Sequence, residues 1–257
     1  MNSVAAVAAP GDVMEFCLRL GDDCLILSHR LSEWTGHAHD FEEDVALANL
    51  ALDLLGQARN LLSYAGEIEG LGRDEDALAY WRDDREYRNS LLVEQPNGDF
   101  AMTMVRHLFF STYQVALYQG LLDSTDPTLA AIAGKGVKEA RYHRDHATLW
   151  VLRLGAGTAE SHRRATAAVT ALWPLVDELF EEDDLLRRLV GSGVAPNPQG
   201  LSAEWNIHVG STLQQANLER PQVVGRSGGR SGLHSEHLGH LLAEMQHLHR
   251  SHPDASW

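Results

Sequence analysis

Glu139, His143 and His146 stand four and three residues apart, which puts a carboxylate and two imidazoles on one face of a helix. A second set, Asn49, Asp53, Gln57, Asn60 and Tyr64, recurs every three or four residues through a leucine-rich stretch and so forms a polar seam along another helix. Buried polar groups need partners. The seam therefore calls for a facing helix, and Asn49, Asp53 and Gln57 opposite Glu139 and His143 would make one internal polar network. The chemistry that such a network could support is a metal centre. A di-iron helical bundle takes a Glu from each of two helices and a Glu-x-x-His pair from each of the other two.

The donors fall short of that set. The one Glu-x-x-His pair is Glu244 to His247, on the last predicted helix and without a second copy. Gln57 is a poor iron ligand, and Asp53 is a short one. Half a ligand set is not a site, so the network is expected to hold no metal. His107 is expected to be a satisfied core or rim residue rather than a ligand. His237, His240, Glu244 and His247 share one helical face but lack the HExxH pattern of a zinc site, so a solvated or partner-facing side is expected there rather than a zinc or pH-sensing role. Nucleophile elbows, P-loops and dinucleotide fingerprints are absent. Arg82, Arg85 and Arg88, three apart, form a basic stripe that could meet phosphates, or could pair with the interleaved Asp83, Asp84 and Glu86.

These residues need long helices to position them, and the apolar periodicity supplies them. Helices are predicted over Asp12–Trp34, Phe41–Glu67, Glu75–Arg88, Phe100–Leu122, Pro127–Leu154, Thr158–Glu181, 202–218 and Leu233–His249. Leucines nearly encircle the 41–67 helix, which predicts a place in the middle of a bundle. No strand pattern persists. The expected fold is all-α, a four-helix bundle with additional C-terminal helices. Residues 1–11 read as a disordered start, 12–257 as one domain, and about 219–232, which contains GRSGGRSG, as a flexible linker.

A net charge of −15 argues against non-specific nucleic-acid binding, which needs a basic surface. Two cysteines without a CxxC suit a reducing cytoplasm. Neither a secretory leader nor an apolar run long enough to span a bilayer is recognisable.

Five segments in order, LSEWTGH (31–37), LDLLGQARNLLSYAGE (52–67), LLVEQPNGDF (91–100), KEARYH (138–143) and GLHSEHLGHLLAEMQ (232–246), resemble the C-subunit family of the bacterial phenylacetyl-CoA epoxidases. The resemblance runs from about Met14 to Arg250. It implies a ferritin-like fold and membership of a multicomponent monooxygenase that epoxidises the ring of phenylacetyl-CoA in aerobic phenylacetate catabolism. The implied partners are a related A subunit that holds the di-iron centre, a reductase subunit with FAD and an iron–sulfur cluster that draws on NADPH, and the acyl-CoA substrate. This chain would be a structural, non-catalytic member of a cytoplasmic hetero-oligomer with no cofactor of its own. The resemblance also implies that the segment at Glu86, Tyr87, Arg88 and Asn89 approaches the CoA part of the substrate, beside Arg82 and Arg85. The sequence departs from the family in its Gly/Ser/Arg-rich linker, in Gly134 and Gly136 interrupting the fourth helix, and in His107 and His146. The residues leave two alternatives open, a di-iron oxygenase with atypical ligands and a helical binding module.

Overall fold

The computed structural model describes residues 8–253 and 255. Among them are nine α-helices, four short 3-10 turns and no strand. No helix among the described residues is long and apolar enough to cross a membrane. The chain divides into two compact units, Ala9–Pro96 with Ser227 onward, and Asn97–Arg226. Where the sequence suggests one domain from residue 12, the boundaries fall inside its two Pro- and Gly-rich stretches, at Pro96 and after Arg226.

The first unit is built on α1 (Pro10–Ser32) and α2 (Phe41–Glu69). The helix starts at Pro10, where a fixed φ suits the first turn, so the expected disorder does not reach residue 11; residues 1–7 lie outside the described residues. Asp40 caps α2 by accepting from the Glu43 N–H at 2.8 Å, and Gly70 ends it with φ +70°. Gly21 lies against Leu62, and the Ser28 hydroxyl donates to the Ala51 carbonyl at 2.7 Å. Numbers rise on one helix as they fall on the other, so the pair is antiparallel. A Cβ on Gly21 would sit 2.9 Å from the Leu62 side chain, so the absence of one sets how closely the helices cross. A short helix, α3 (Glu75–Tyr80), and a 3-10 turn at Asp84–Glu86 follow, where one helix to Arg88 is predicted.

The second unit pairs α4 (Phe100–Leu121) with α5 (Pro127–Ala156). Phe100 meets Trp150, His107 meets His143 and Gly136 lies against Tyr118, an antiparallel register again. The glycines at 134 and 136 do not interrupt α5. Gly136 instead makes room for the Tyr118 ring, whose Cε2 would stand 2.6 Å from an added Cβ. The predicted fifth helix stops early, as α6 (Ala159–Leu172), because Pro174 follows. Then come α7 (Asp184–Gly191) and α8 (Pro198–Gln215). Trp205 of α8 donates its indole N–H to the Phe109 carbonyl at 2.8 Å and packs on Phe109, Trp173 and Phe180. The four long helices are those of a ferritin-like all-α fold, one antiparallel pair per unit.

Two expectations need correction. Phe41, Val45, Leu52 and Leu55 leave one side of α2 open to solvent, at 78, 43, 63 and 43% exposure, so α2 is not enclosed on all sides. The Gly/Ser/Arg-rich linker is also not loose throughout. Residues Gly229–Ser231 form a 3-10 turn before α9 (Glu236–Ser251), and Gly229 is buried. Adding a methyl at Gly136 tests the packing account. Gly136→Ala should lower stability by about 1–3 kcal/mol through overpacking, despite an intrinsic helix preference of about 1 kcal/mol in favour of Ala. Thermal unfolding reads this, and an unchanged or higher melting temperature would refute the Tyr118 contact as a constraint.

Candidate functional site

The polar seam of α2 is graded rather than buried. Asn49 and Asn60 are exposed, Asp53 and Tyr64 half-buried, and Gln57 buried. Gln57 Oε1 lies 3.7 Å from the Cys24 thiol of α1. Glu139 and His143 belong to the other unit, where Glu139 is half-buried and His143 buried. The His143 ring lies 5.3 Å from the ring of His107, centroid to centroid. Contrary to expectation, His107 is not satisfied: it is fully buried, and neither ring nitrogen has a hydrogen-bond partner. Burial, then His143, His146 and Arg106, push its pKa well below the ordinary imidazole value, so the ring is neutral at pH 7. Among the described residues no three His, Cys, Asp or Glu side chains are grouped to hold a metal ion. Asp22 and Asp23, the buried acids of α1, bind arginines. The donor set does not fit a di-iron centre.

The arginine stripe is not a cationic surface. Arg82 is 3% exposed and binds both carboxylate oxygens of Asp22, Nη1 to Oδ2 at 2.9 Å and Nη2 to Oδ1. Burial disfavours its charge, and Asp22 more than offsets this. Its guanidinium also lies 4.4 Å over the Tyr87 ring. Arg88 donates from its backbone N–H to Asp22 Oδ2 at 2.8 Å and from Nε to Glu15 at 3.1 Å. Glu86 accepts from the Asp83 N–H at 2.8 Å. Tyr87 and Asn89 are fully buried. Of the six residues singled out for acyl-CoA contact, only Arg85 and Glu86 are exposed. The main counter-charge of Arg82 is Asp22 rather than an interleaved acid, with Glu86 a smaller contributor. The missed signal is the Asp22-Asp23 pair inside the apolar run of α1.

Asp23 forms the second half of this interior network. It accepts from Arg230 Nη2 and from the Ser90 N–H, each at 2.7 Å. Arg230 Nη1 also donates to the carbonyls of Arg19 and Arg88, at 3.1 and 2.9 Å. Gly229 and Gly232 press against the carbonyls of Asn89 and Arg85, where a Cβ would collide. Glu94, fully buried, accepts from Asn89 Nδ2 at 3.0 Å, the Ser235 N–H at 2.7 Å and His234 Nδ1 at 2.8 Å. Its carbonyl accepts from Arg30 Nε and Nη2 at 3.1 and 2.9 Å. His234 Nε2 lies 3.1 Å from the Tyr87 carbonyl. A carboxylate and a carbonyl can only accept, so both ring nitrogens donate and His234 is an imidazolium. Burial opposes that charge, but the Glu94 and Tyr87 bonds outweigh it, and its pKa is raised.

Two measurements test this network. Asp22→Asn leaves the buried Arg82 charge uncompensated and should cost about 3–5 kcal/mol, whereas Asp22→Leu with Arg82→Met should cost less than either single change. Equal losses in denaturant melts would mean that the pair is not an interior ion pair. His234 has a folded pKa above its unfolded value, so its contribution is full below about pH 6.5 and is lost as pH rises through the folded pKa. The stability gap between wild type and His234→Gln should therefore narrow from pH 6 upward; a gap that widens would contradict the imidazolium.

The phenylacetic acid catabolic protein family model matches residues 3–257. The chain is also 51% identical over 243 residues to the C subunit of the 1,2-phenylacetyl-CoA epoxidase of Escherichia coli (strain K12), covering 94% of this chain and 98% of that protein. Full-length coverage at this identity extends the agreement from the five segments to the whole fold. The chain belongs to the phenylacetic acid catabolic protein family.

Proposed function

We propose that this chain is a non-catalytic subunit of a multicomponent monooxygenase that epoxidises the aromatic ring of phenylacetyl-CoA. The observation that carries the proposal is the near-complete alignment with the C subunit of an epoxidase, joined to a donor set that does not fit a di-iron centre. Its partner would be the di-iron A subunit of a hetero-oligomeric, cytoplasmic complex. A reductase subunit with FAD and an iron–sulfur cluster would pass electrons from NADPH. The iron would supply the oxygen chemistry in the A subunit.

What this chain's own residues do is structural. A catalytic metal needs a rigid supporting shell. The ion pairs Asp22–Arg82 and Asp23–Arg230 hold α1, the 82–90 segment and the 228–235 segment together as one preorganised body. In the 82–89 segment, Arg82, Tyr87, Arg88 and Asn89 fix the backbone from within. Arg85 and Glu86 remain exposed, and an acyl-CoA that approached this segment would meet them.

Reconstitution tests the reading. Omitting this chain should lower phenylacetyl-CoA-dependent NADPH oxidation at least about tenfold. The double variant Asp53→Asn, His143→Gln should leave iron content and turnover of the complex unchanged. If the complex assembled, kept its iron and yet lost turnover with that variant, the non-catalytic assignment would fail.

A further inference from the structure

The open side of α2 has a period of its own. Phe41, Val45, Ala48, Leu52 and Leu55 follow one another at spacings of four, three, four and three. That is the a/d pattern of a heptad seam, in which apolar residues recur every 3.5 residues. An amphipathic helix buries such a seam against its own core. Here the seam faces outward, with Leu52 63% and Phe41 78% exposed. It runs about 20 Å, at 1.5 Å per residue, or four helical turns. Near its C-terminal end it opens into a groove of about 290 Å³, floored by Leu25, Ala58, Leu62 and Ala79 beside Leu55.

The flanks name the occupant. With Val45 and Leu52 at a, and Phe41, Ala48 and Leu55 at d, the flanking e and g positions at the N-terminal end carry Glu42 and Asp44. The groove is walled by Glu75 and Asp76, and the nearby cation, Arg59, is bound to Glu75 at 2.7 Å. Acidic groups at both ends of an apolar a/d seam, Glu42 and Asp44 at one and Glu75 and Asp76 at the other, fit a helix with its own a/d seam and Lys or Arg on the flanks. A second copy of this chain fits poorly. Each copy would bring only acidic flanks and groove walls, with no Lys or Arg at the e and g positions to answer them, and each carries a net charge of −15.

We infer that the exposed a/d seam of α2, from Phe41 to Leu55 with its groove, is a docking surface for a basic-flanked amphipathic helix of the catalytic subunit. This rests on the proposed function, because the partner is the subunit proposed there. The seam packs knobs into holes with that helix, and Leu55 marks where a larger side chain of the partner enters the groove.

The test uses the full chain and the purified A subunit of the same complex. Leu52→Asp is expected to weaken association about 30-fold, while the variant alone keeps the melting temperature of wild type. Glu42→Lys is expected to weaken it less and to reduce its salt dependence. Ile207→Asp, at an equally exposed apolar position on α8, 74% open, is expected to change nothing. If Leu52→Asp binds the A subunit as tightly as wild type, or if it abolishes only self-association, the docking inference is overturned and the subunit assignment stands. If wild type itself does not bind the A subunit, both fall.

Discussion

Two neighbouring aspartates on α1 carry opposite halves of one constraint. Asp22 and Asp23 are 0 and 1% exposed, and each meets an arginine brought from far along the chain, Arg82 and Arg230. A buried pair of charges gains little net stability over an apolar pair, but breaking one is severe. Its effect is therefore to reject other arrangements. The 82–90 segment has no regular helix beyond one 3-10 turn, and the 228–235 segment is rich in glycine. Both are fixed because their donors converge on α1. Glu94 extends the same logic by collecting His234, Ser235 and Asn89 around one buried carboxylate. The result joins pieces of chain more than a hundred residues apart into one unit.

The second unit is organised by different physics. It is packed by aromatic rings around Trp205 and by glycine at a close approach, Gly136 on Tyr118. A costly feature of it is His107, a neutral imidazole in the interior whose nitrogens make no hydrogen bond. Burial of a polar ring without hydrogen bonds costs free energy. In a ferritin-like fold, helix positions that face the interior are where ligands would stand. His107 and His143 stand ring to ring there, 5.3 Å between centroids, and among the described residues no third His, Cys, Asp or Glu completes a metal-holding group with them.

Much of the fold is legible in the sequence because helix signals are local. Asp40, Asp99 and Asp126 cap their helices, a local signal, and the ends of α2, α4 and α5 fall within a few residues of prediction. The apolar circumference of α2 is legible too, but not which part of it stays uncovered, since periodicity says nothing about the neighbour. The failures are tertiary. GRSGGRSG reads as a flexible linker until Arg230 finds Asp23 and carbonyls are seen to press on the glycines. The basic stripe reads as a surface because Arg82 is polar. Its partner sits 60 residues away on α1, and nothing local points there. Adjacent acids inside an apolar helix are charges in need of partners, and that rule applied to Asp22 and Asp23 would make their pairing the first question.

On the proposed function, this chain is a rigid companion to a metal-bearing subunit rather than a metal enzyme. Metal analysis by mass spectrometry, on the chain purified alone and then with its A subunit, tests that most directly. The prediction is iron only in the co-purified sample, rising and falling with the A subunit. Iron held by the isolated chain at about one to two atoms per molecule, as a di-iron site requires, would contradict it and would make Glu139, His143 and His107 ligands after all.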